Sequence, residues 1–511
     1  MTISTKTVCL FLLLPNLVGA QDTSAIRYST TITSGGMSKN LHVLASDEYE
    51  GRETGKKGQK MAAEYIANQF MAAGIPSING SYYQQFPLNV IQPSMAEVSL
   101  KGKRYVGGKD YYNFPGQTEQ RVKASEILFL GYGIEETTYN DYKDMDVKDK
   151  VILILSGEPY KDSVSLISGK KTSSLWTSYQ KVKTEKARER GASAVLFVVD
   201  DVDKNMEANK HKLESTSMKL DLNKKEMPVI YISASMANEI LQNQGLEKLR
   251  KSISDSGKPR SQVIKAKLDI NIKNSAEIIQ SENVLGYVEG SDLKDELIVI
   301  TAHYDHLGKE GDVVYNGADD DGSGTVAVIE LAKTFALAKK EGKGPRRSIL
   351  FMAVAGEEKG LLGSSYYVDH AVFPLKSTVC NLNIDMIGRI DERHKNGDYV
   401  YLIGSDKLSS DLHRISETAN KTYSKLELDY TYNDEKDRNR FYYRSDHYNF
   451  AKNGIPVIFY FNGVHADYHK ETDEVEKIDF IKMEKITRLV FFTAWDLANR
   501  TERIVVDSSK K

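Results

Sequence analysis

The chain has 511 residues, of which 40% are hydrophobic and 27% are charged, and its formal net charge is -2. A chain of this length is too long for one ordinary domain, so we expect two or three. The composition is that of a globular protein, and the absence of a basic excess argues against nucleic acid or an anionic membrane surface as a partner.

The first 20 residues have the pattern of a cleavable signal peptide. A short apolar run ends at Leu14, and small residues lead to Ala20 before a polar stretch. We predict cleavage after Ala20 and a secreted or periplasmic protein. A buried N-terminal helix is the alternative, but Pro15 interrupts the run. About 20 apolar residues are needed to span a bilayer, so we predict no membrane span.

The chain contains two cysteines, and the predicted cleavage removes one of them, Cys9. Cys380 would then have no partner for an intrachain disulfide. Because Cys380 lies in an apolar run, we expect a small buried core residue rather than a nucleophile.

Residues 21–123 are interpreted as the first part of a larger domain. They contain the segment Gly51–Gly55, and the apolar spacing from Gln59 to Phe70 predicts an amphipathic helix. From about 124 to 280, short strand-like runs alternate with Lys- and Ser-rich connectors, including 200–226 and 251–262, which we interpret as solvated loops. This stretch has no paired carboxylates in an apolar setting, so we interpret it as an inserted β-rich domain without chemistry of its own.

From 281 to 505, strands alternate with helices, which predicts an α/β domain with a mixed, mostly parallel sheet flanked by helices. Helices are expected over Ser323–Lys340, near 361–370 and over Phe480–Leu497. In such sheets ligands bind beyond the carboxyl ends of the strands. We therefore expect the functional site at that edge.

Five potential metal ligands lie in this part of the chain: His303, Asp320, Glu358, Asp385 and His469. Two imidazoles and three carboxylates suit a pair of zinc-like ions that share a carboxylate. Plainer interpretations exist: a loop histidine is often structural, Asp319–Asp321 can cap a helix, and adjacent glutamates often form a solvated turn. However, crowded carboxylates cost energy without a cation, and an aspartate in an apolar strand needs a partner.

Three further residues have candidate catalytic roles. Glu357 is next to a ligand but is not needed as one, so it is the candidate general base. Asp305, two residues after the first histidine, is expected to orient that imidazole, and Tyr468 could donate to an oxyanion. The neighbouring His306 is a competing candidate for the role of His303, but we expect it to be an exposed loop residue. The run Ser445–His447 cannot converge as a catalytic triad because its members are contiguous, and no Gly-x-Ser-x-Gly elbow accompanies it.

Together these motifs resemble the M28 family of zinc-dependent peptidases, which includes secreted aminopeptidases and glutamate carboxypeptidase-like enzymes. The resemblance covers Gly51–Gly55 and nearly all of 283–500, and the middle region is similar to the protease-associated domain that many of these enzymes carry. It is based on five motifs in order: His303-Tyr304-Asp305, Gly317–Gly324, Gly356–Glu358, Asp385 and Tyr468-His469.

The resemblance implies two zinc ions and a role for each site residue. One ion would be held by His303, Asp320 and Asp385, and the other by Asp320, Glu358 and His469. Glu357 would be the general acid and base, Asp305 would orient His303, and Tyr468 would be an oxyanion donor. No ligand position departs from the family pattern, which argues against a noncatalytic relative.

We therefore predict a secreted dinuclear zinc exopeptidase that acts on peptides or proteins. The predicted activity is that of an aminopeptidase. Three alternatives are a carboxypeptidase of the same family, a glutaminyl cyclase-like acyltransferase with one zinc, and a noncatalytic peptide-binding protein. Elemental analysis of the metal content and an assay for cyclisation of N-terminal glutamine distinguish the acyltransferase from a peptidase. Binding that survives chelation without turnover indicates the binding protein.

Overall fold

A computed structural model of the protein describes residues 21–507. The predicted signal peptide, with Cys9, lies outside the described residues. The described part is organised around a nine-stranded sheet and an eight-stranded sheet. Within it, no helix combines the length and the apolar character that crossing a membrane requires.

Most of the nine-stranded sheet lies in the part of the chain for which an α/β domain is predicted, but two of its strands come earlier. One of them, Ser217–Lys219, lies in the stretch that was predicted to belong to the inserted domain. The strands of this sheet in chain order are β1 (Tyr83–Ile91), β2 (Ser217–Lys219), β3 (Ala276–Val288), β4 (Leu293–His303), β5 (Arg347–Val354), β6 (Thr378–Ile384), β7 (Tyr399–Ile403), β8 (Glu427–Asp429) and β9 (Val457–Phe461). Across the sheet the order is β2-β1-β3-β5-β4-β6-β9-β7-β8. The central strands β5, β4, β6 and β9 are parallel, and the strands β2, β1 and β3 pair antiparallel. The predicted mixed α/β class is confirmed, and parallel pairing is concentrated at the centre of the sheet.

Helices cover both faces of this sheet, as expected for strands that are apolar throughout. Side chains alternate between the two faces along a strand. Ile298 and Ile300 of β4 pack in the core beneath the long helices that begin at Gly324 and Phe480, whereas Val299 packs in the core on the opposite face. The central strands therefore hold their carboxyl ends in fixed positions.

The α-helices of the described residues include those predicted from the apolar spacing. They are Thr23–Ser29, Ser34–Leu44, Lys57–Ala72, Leu175–Ser178, Lys181–Glu189, Val202–Ala208, Lys210–Glu214, Ala234–Leu241, Leu246–Ser256, Gly324–Lys340, Leu362–Asp369, Ser410–Ala419, His447–Ala451 and Phe480–Asn499. Cys380 is fully buried on β6, and burial raises the pKa of its thiol to about 12. Its predicted core role is confirmed.

The eight-stranded sheet is built from the middle of the chain. Across the sheet its strands are Lys103–Arg104, Glu97–Leu100, Gln262–Ile272, Gln120–Phe129, Val151–Leu155, Ala194–Val199, Val229–Ser233 and Tyr111–Tyr112. The predicted start of this region at residue 124 is too late, because strands from 97 to 112 already pair within the sheet. They are only two to four residues long, so the sequence pattern did not reveal them. Two small hairpins complete the strands: Tyr160–Lys161 with Val164–Ser165, and Gly308–Glu310 with Val313–Tyr315.

The segments 200–226 and 251–262 are not simply solvated loops, and that prediction was wrong. The first contains two short helices and the strand β2, and the second contains the end of the helix Leu246–Ser256. In that helix Leu246, Leu249 and Ile253 are buried at helical spacing among polar residues. The polar composition concealed this narrow apolar stripe.

Candidate metal centre

The five predicted ligands come from loops at one edge of the nine-stranded sheet. His303 is the last residue of β4, Glu358 follows β5, Asp385 follows β6, and His469 lies in the loop after β9. Asp320 comes from the irregular turn that leads into the helix Gly324–Lys340. Because the carboxyl ends of neighbouring parallel strands lie side by side, these separate loops converge.

The Asp320 carboxylate lies between the two histidines. Its Oδ1 is 3.2 Å from Nε2 of His303, and its Oδ2 is 3.1 Å from Nε2 of His469. On the His303 side, Nε2 is also 3.7 Å from Oδ1 of Asp385. On the His469 side, Nε2 is 3.4 Å from Oε2 of Glu358. The structure therefore brings all five residues together in two groups that share Asp320.

These distances fit two tetrahedral zinc-like ions. With ligand atoms about 2.0–2.1 Å from such an ion, neighbouring ligand atoms are about 3.3 Å apart. The four separations run from 3.1 to 3.7 Å. In addition, Oδ2 of Asp320 and Oε1 of Glu358 are buried without a hydrogen-bond partner. Unsatisfied buried acceptors are costly, and a bound cation removes that cost.

The charges of the cluster also favour cations. Burial raises the pKa of Glu357 well above its ordinary value, and the nearby carboxylates of Glu358 and Asp385 act in the same direction. Burial also acts to raise the pKa of Asp320, but the neighbouring imidazoles of His303 and His469 outweigh it and hold that pKa well below the ordinary value. Crowded carboxylates of this kind are stabilised by positive charge.

Asp305 orients His303 through its backbone rather than through its carboxylate. Nδ1 of His303 donates to the carbonyl oxygen of Asp305 at 3.0 Å, while Oδ1 of Asp305 is 3.9 Å away. This hydrogen bond directs Nε2 of His303 towards the cluster. The Asp305 carboxylate instead accepts from the backbone N–H of Glu357 (3.2 Å) and from the Thr54 hydroxyl (2.7 Å). It therefore fixes the segment that carries the two glutamates.

Tyr468 lines a pocket together with His303, Asp320, Asp385 and His469, and its ring stacks on that of His469 with ring centroids 3.9 Å apart. Its hydroxyl accepts a hydrogen bond from Nη2 of Arg444 at 3.2 Å. Burial raises the pKa of Tyr468 well above its ordinary value, so its hydroxyl remains protonated. A protonated hydroxyl can serve as a hydrogen-bond donor at the site.

The expectation that His306 is an exposed loop residue was wrong. The His306 side chain is fully buried, and its Nδ1 lies 3.0 Å from Oε1 of Glu358. The loop is short and packs inwards because the backbone N–H of His306 donates to the carbonyl of Arg52 at 3.2 Å. No local sequence pattern around His306 distinguishes this position from an exposed turn.

The run Ser445–His447 does not form a triad, as predicted from its contiguity. His447 stacks on Phe459, and neither of its ring nitrogens has a hydrogen-bond partner among residues 21–507. Ser445 does contribute to the site: its hydroxyl donates to Oδ2 of Asp385 at 2.6 Å and accepts from the Asn383 amide at 2.8 Å. Ser445 therefore orients a candidate ligand.

We predict that Ser445→Ala weakens metal binding by roughly 10–100-fold, the range for loss of a group that hydrogen-bonds a ligand. The reason is that Asp385 loses the donor that fixes its rotamer. Isothermal titration of the metal-free protein with Zn²⁺ measures the change. Ser410→Ala, an exposed position whose hydroxyl bonds Asp507, is the control and should match the unmodified chain. Equal affinities in both variants would remove Ser445 from the site.

Arg52 is the main structural residue to which sequence reasoning assigned no role, although the segment containing it was noted. Its buried guanidinium donates to the carbonyl oxygens of Leu44, Tyr304, Asn316 and Gly317 at 2.7–2.9 Å. Tyr304 lies between His303 and Asp305, and Asn316 and Gly317 lead into the turn that carries Asp320. Arg52 thus ties two ligand-bearing segments together.

Part of this chain is similar to known peptidases. Residues 283–494 match the family model described as Peptidase family M28. Aminopeptidase YwaD of Bacillus subtilis is 26% identical over 394 residues, which are 76% of this chain and 70% of that protein. A probable leucine aminopeptidase of Arthroderma otae is 30% identical over 211 residues, or 40% of this chain and 55% of that protein. The solved structure of an aminopeptidase from Aneurinibacillus sp. strain AM-1 shares the fold, with a TM-score of 0.54 and 19% identity over 94% of this chain and 98% of that one.

Proposed function

We propose, from the premise that residues 283–494 belong to peptidase family M28, that this metallo-exopeptidase is an aminopeptidase with two zinc ions. The observation that carries the proposal is the position of Asp320, whose two carboxylate oxygens face different histidines at 3.2 and 3.1 Å. A carboxylate placed in this way can bridge two ions.

The residues on each side of Asp320 provide the other donors. His303 and Asp385 would complete one ion's set, and Glu358 and His469 would complete the other's. When bound, the zinc ions supply Lewis-acid chemistry: they lower the pKa of water and polarise a carbonyl group.

Glu357 is placed to move the protons. Its Oε2 is 4.0 Å from Nε2 of His303, so it borders the cluster. The carboxylate takes a proton from the attacking water as the new C–O bond forms. It then gives that proton to the amine nitrogen as the C–N bond breaks. Asp305 holds the backbone of Glu357 during both steps.

Tyr468 completes the proposed catalytic groups. Its protonated hydroxyl lies in the pocket, where it can donate to the oxygen that gains negative charge as the carbonyl is attacked. Met386, Phe441 and Phe459 line the same pocket and provide an apolar wall for the substrate side chain. The names of the relatives support an aminopeptidase over a carboxypeptidase.

Two further features of the proposal concern the rest of the chain. We propose that the eight-stranded sheet is a protease-associated domain inserted between β1 and β3. We also propose that the N-terminal 20 residues direct secretion and are removed after Ala20. Mass spectrometry of the exported protein tests the cleavage position directly.

An activity screen on fluorogenic aminoacyl substrates tests the proposed reaction. We expect turnover of free N-terminal substrates, loss of that turnover after chelation, and recovery when two equivalents of Zn²⁺ are restored. N-acetylated versions of the same substrates are the control and should not be cleaved, because an aminopeptidase requires a free amine.

Three other outcomes would contradict the proposal and identify an alternative. Release of C-terminal residues from N-blocked peptides indicates a carboxypeptidase. Cyclisation of N-terminal glutamine with one zinc per chain indicates the acyltransferase. Peptide binding that survives chelation, with no turnover of any substrate, indicates a binding protein.

A further inference from the structure

We propose that His306 is a fourth protein ligand of the metal ion held by Asp320, Glu358 and His469. This inference rests on the proposed dinuclear function and goes beyond it. It makes the two metal sites unequal: three protein donors surround one ion, and four surround the other.

The first argument is the position of the His306 imidazole. The side chain is fully buried, with Nδ1 3.0 Å from Oε1 of Glu358 and 3.9 Å from Oδ2 of Asp320. These three atoms form a compact group of potential metal donors. Their separations lie around the value of about 3.3 Å expected between neighbouring ligands of a tetrahedral zinc ion.

The second argument is that the group lacks the hydrogen bonds that would otherwise explain it. Nδ1 of His306, Oε1 of Glu358 and Oδ2 of Asp320 are all buried, and none has a hydrogen-bond partner among the described residues. The first two are close enough for a hydrogen bond but are not aligned for one. Buried polar atoms are normally satisfied, so three unsatisfied atoms around one point indicate a cation-binding position.

The third argument is that the backbone makes room for this ring. A Cβ atom at Gly317 would lie 2.5 Å from the Cγ and Cδ2 atoms of His306, and Gly317 has a φ of +52°. Only glycine tolerates both the close approach and this backbone conformation at low cost. The backbone N–H of His306 is fixed by the carbonyl of Arg52 at 3.2 Å. The contacts with Gly317 and Arg52 therefore fix the position of the imidazole beside Glu358.

The chemical consequence is a division of roles between the two ions. Four protein donors close a zinc site, as in structural zinc centres, whereas three leave a position open for water or substrate. We infer that the ion at His306 is the more tightly held of the pair, and that the ion at His303 and Asp385 has the more open coordination. Stepwise loading with unequal affinities follows from this arrangement.

Cobalt titration of the metal-free full chain tests the inference without using activity. Two variants separate metal binding from hydrogen bonding to Glu358. His306→Ala removes both functions. His306→Asn keeps a hydrogen-bond donor near the Nδ1 position but removes the imidazole ligand. We expect both variants to lose more than about 100-fold in affinity for one of the two Co²⁺ equivalents, beyond the 10–100-fold typical of a residue that only supports a ligand.

His211→Ala is the control because it removes an exposed imidazole that pairs with Glu310 at 2.8 Å. It should bind two equivalents like the unmodified chain. Unchanged binding in both His306 variants, or in His306→Asn alone, would overturn the inference while leaving the dinuclear proposal intact. Fewer than two equivalents in the unmodified chain would instead overturn the dinuclear proposal, and the inference with it.

A measurement on the unmodified protein covers the case in which the variants do not fold. Proton NMR of the Co²⁺-loaded chain shows strongly shifted ring N–H signals from coordinated imidazoles. Signals from three imidazoles, assigned to His303, His306 and His469, are expected. Signals from only two would contradict the inference.

Discussion

Glu357→Gln is expected to lower turnover by roughly 10²–10⁴-fold while the chain still binds both metal ions. Glutamine preserves the size of the side chain but cannot accept and return a proton at neutral pH. The residue lies at the edge of the ligand cluster, with Oε2 4.0 Å from Nε2 of His303. Steady-state kinetics and elemental analysis of the same samples measure the two quantities.

Elemental analysis also decides between two roles for Glu357. Glu357, His303 and Asp385 each offer one potential metal donor, and these three atoms lie within 4.8 Å of one another. Glu357 could therefore bind a metal ion instead of moving protons. Loss of one ion in the variant would show that Glu357 binds metal, and unchanged turnover would remove it from the mechanism. Glu310→Gln, an exposed carboxylate outside the pocket, is the matched control and should keep full turnover and both ions.

The central part of the fold and the convergence of the ligands follow from local sequence patterns. Each central strand is a short apolar run, and each run ends just before a polar residue such as His303 or Asp385. Because parallel strands alternate with helices, these ends must lie at one edge of the sheet. The sequence alone therefore predicts that five candidate ligands, scattered along the chain, lie close together.

The parts that could not be predicted depend on contacts distant in sequence. His306 is buried because its backbone bonds to Arg52 and its ring packs on Gly317. The residues next to His306 in the sequence do not predict either contact. The three strands between 97 and 112 are likewise too short to show periodicity. Two of them pair with the strands Gln262–Ile272 and Val229–Ser233, which are distant in sequence, and Lys103–Arg104 pairs with Glu97–Leu100.

Arg52→Met is expected to destabilise the peptidase part of the chain by about 3–5 kcal/mol, the range for removing one member of a buried charge network. Burial lowers the pKa of Arg52 to about 10, so the guanidinium is still charged at neutral pH. Methionine removes the guanidinium donor from four buried carbonyl oxygens, of which only that of Gly317 keeps another donor among the described residues, the backbone N–H of Gly322. It also removes the positive charge of Arg52 from the neighbourhood of the Asp305 and Asp320 carboxylates.

The two tryptophans of the chain allow the loss of stability in Arg52→Met to be measured separately for the nine-stranded sheet. Trp495 lies on the helix Phe480–Asn499 against the nine-stranded sheet, and Trp176 packs in the core of the eight-stranded sheet. In a Trp176→Phe background, urea unfolding followed by fluorescence therefore reports the peptidase part. Arg27→Met is the control: Arg27 is exposed and pairs with Glu341 at 2.9 Å. Its loss should cost less than about 1 kcal/mol.

Arg52→Lys separates the charge of Arg52 from its geometry. A lysine ammonium is a point charge on a flexible stem, whereas the guanidinium presents five donors in a fixed plane. Carbonyls from three separate segments surround Arg52. One ammonium cannot reach all of them, so we expect Arg52→Lys to recover less than half of the lost stability. It should also bind zinc more weakly, because the carbonyl of Gly317 holds the turn that positions Asp320. Full recovery of stability and zinc affinity by lysine would show that the site needs only a positive charge there.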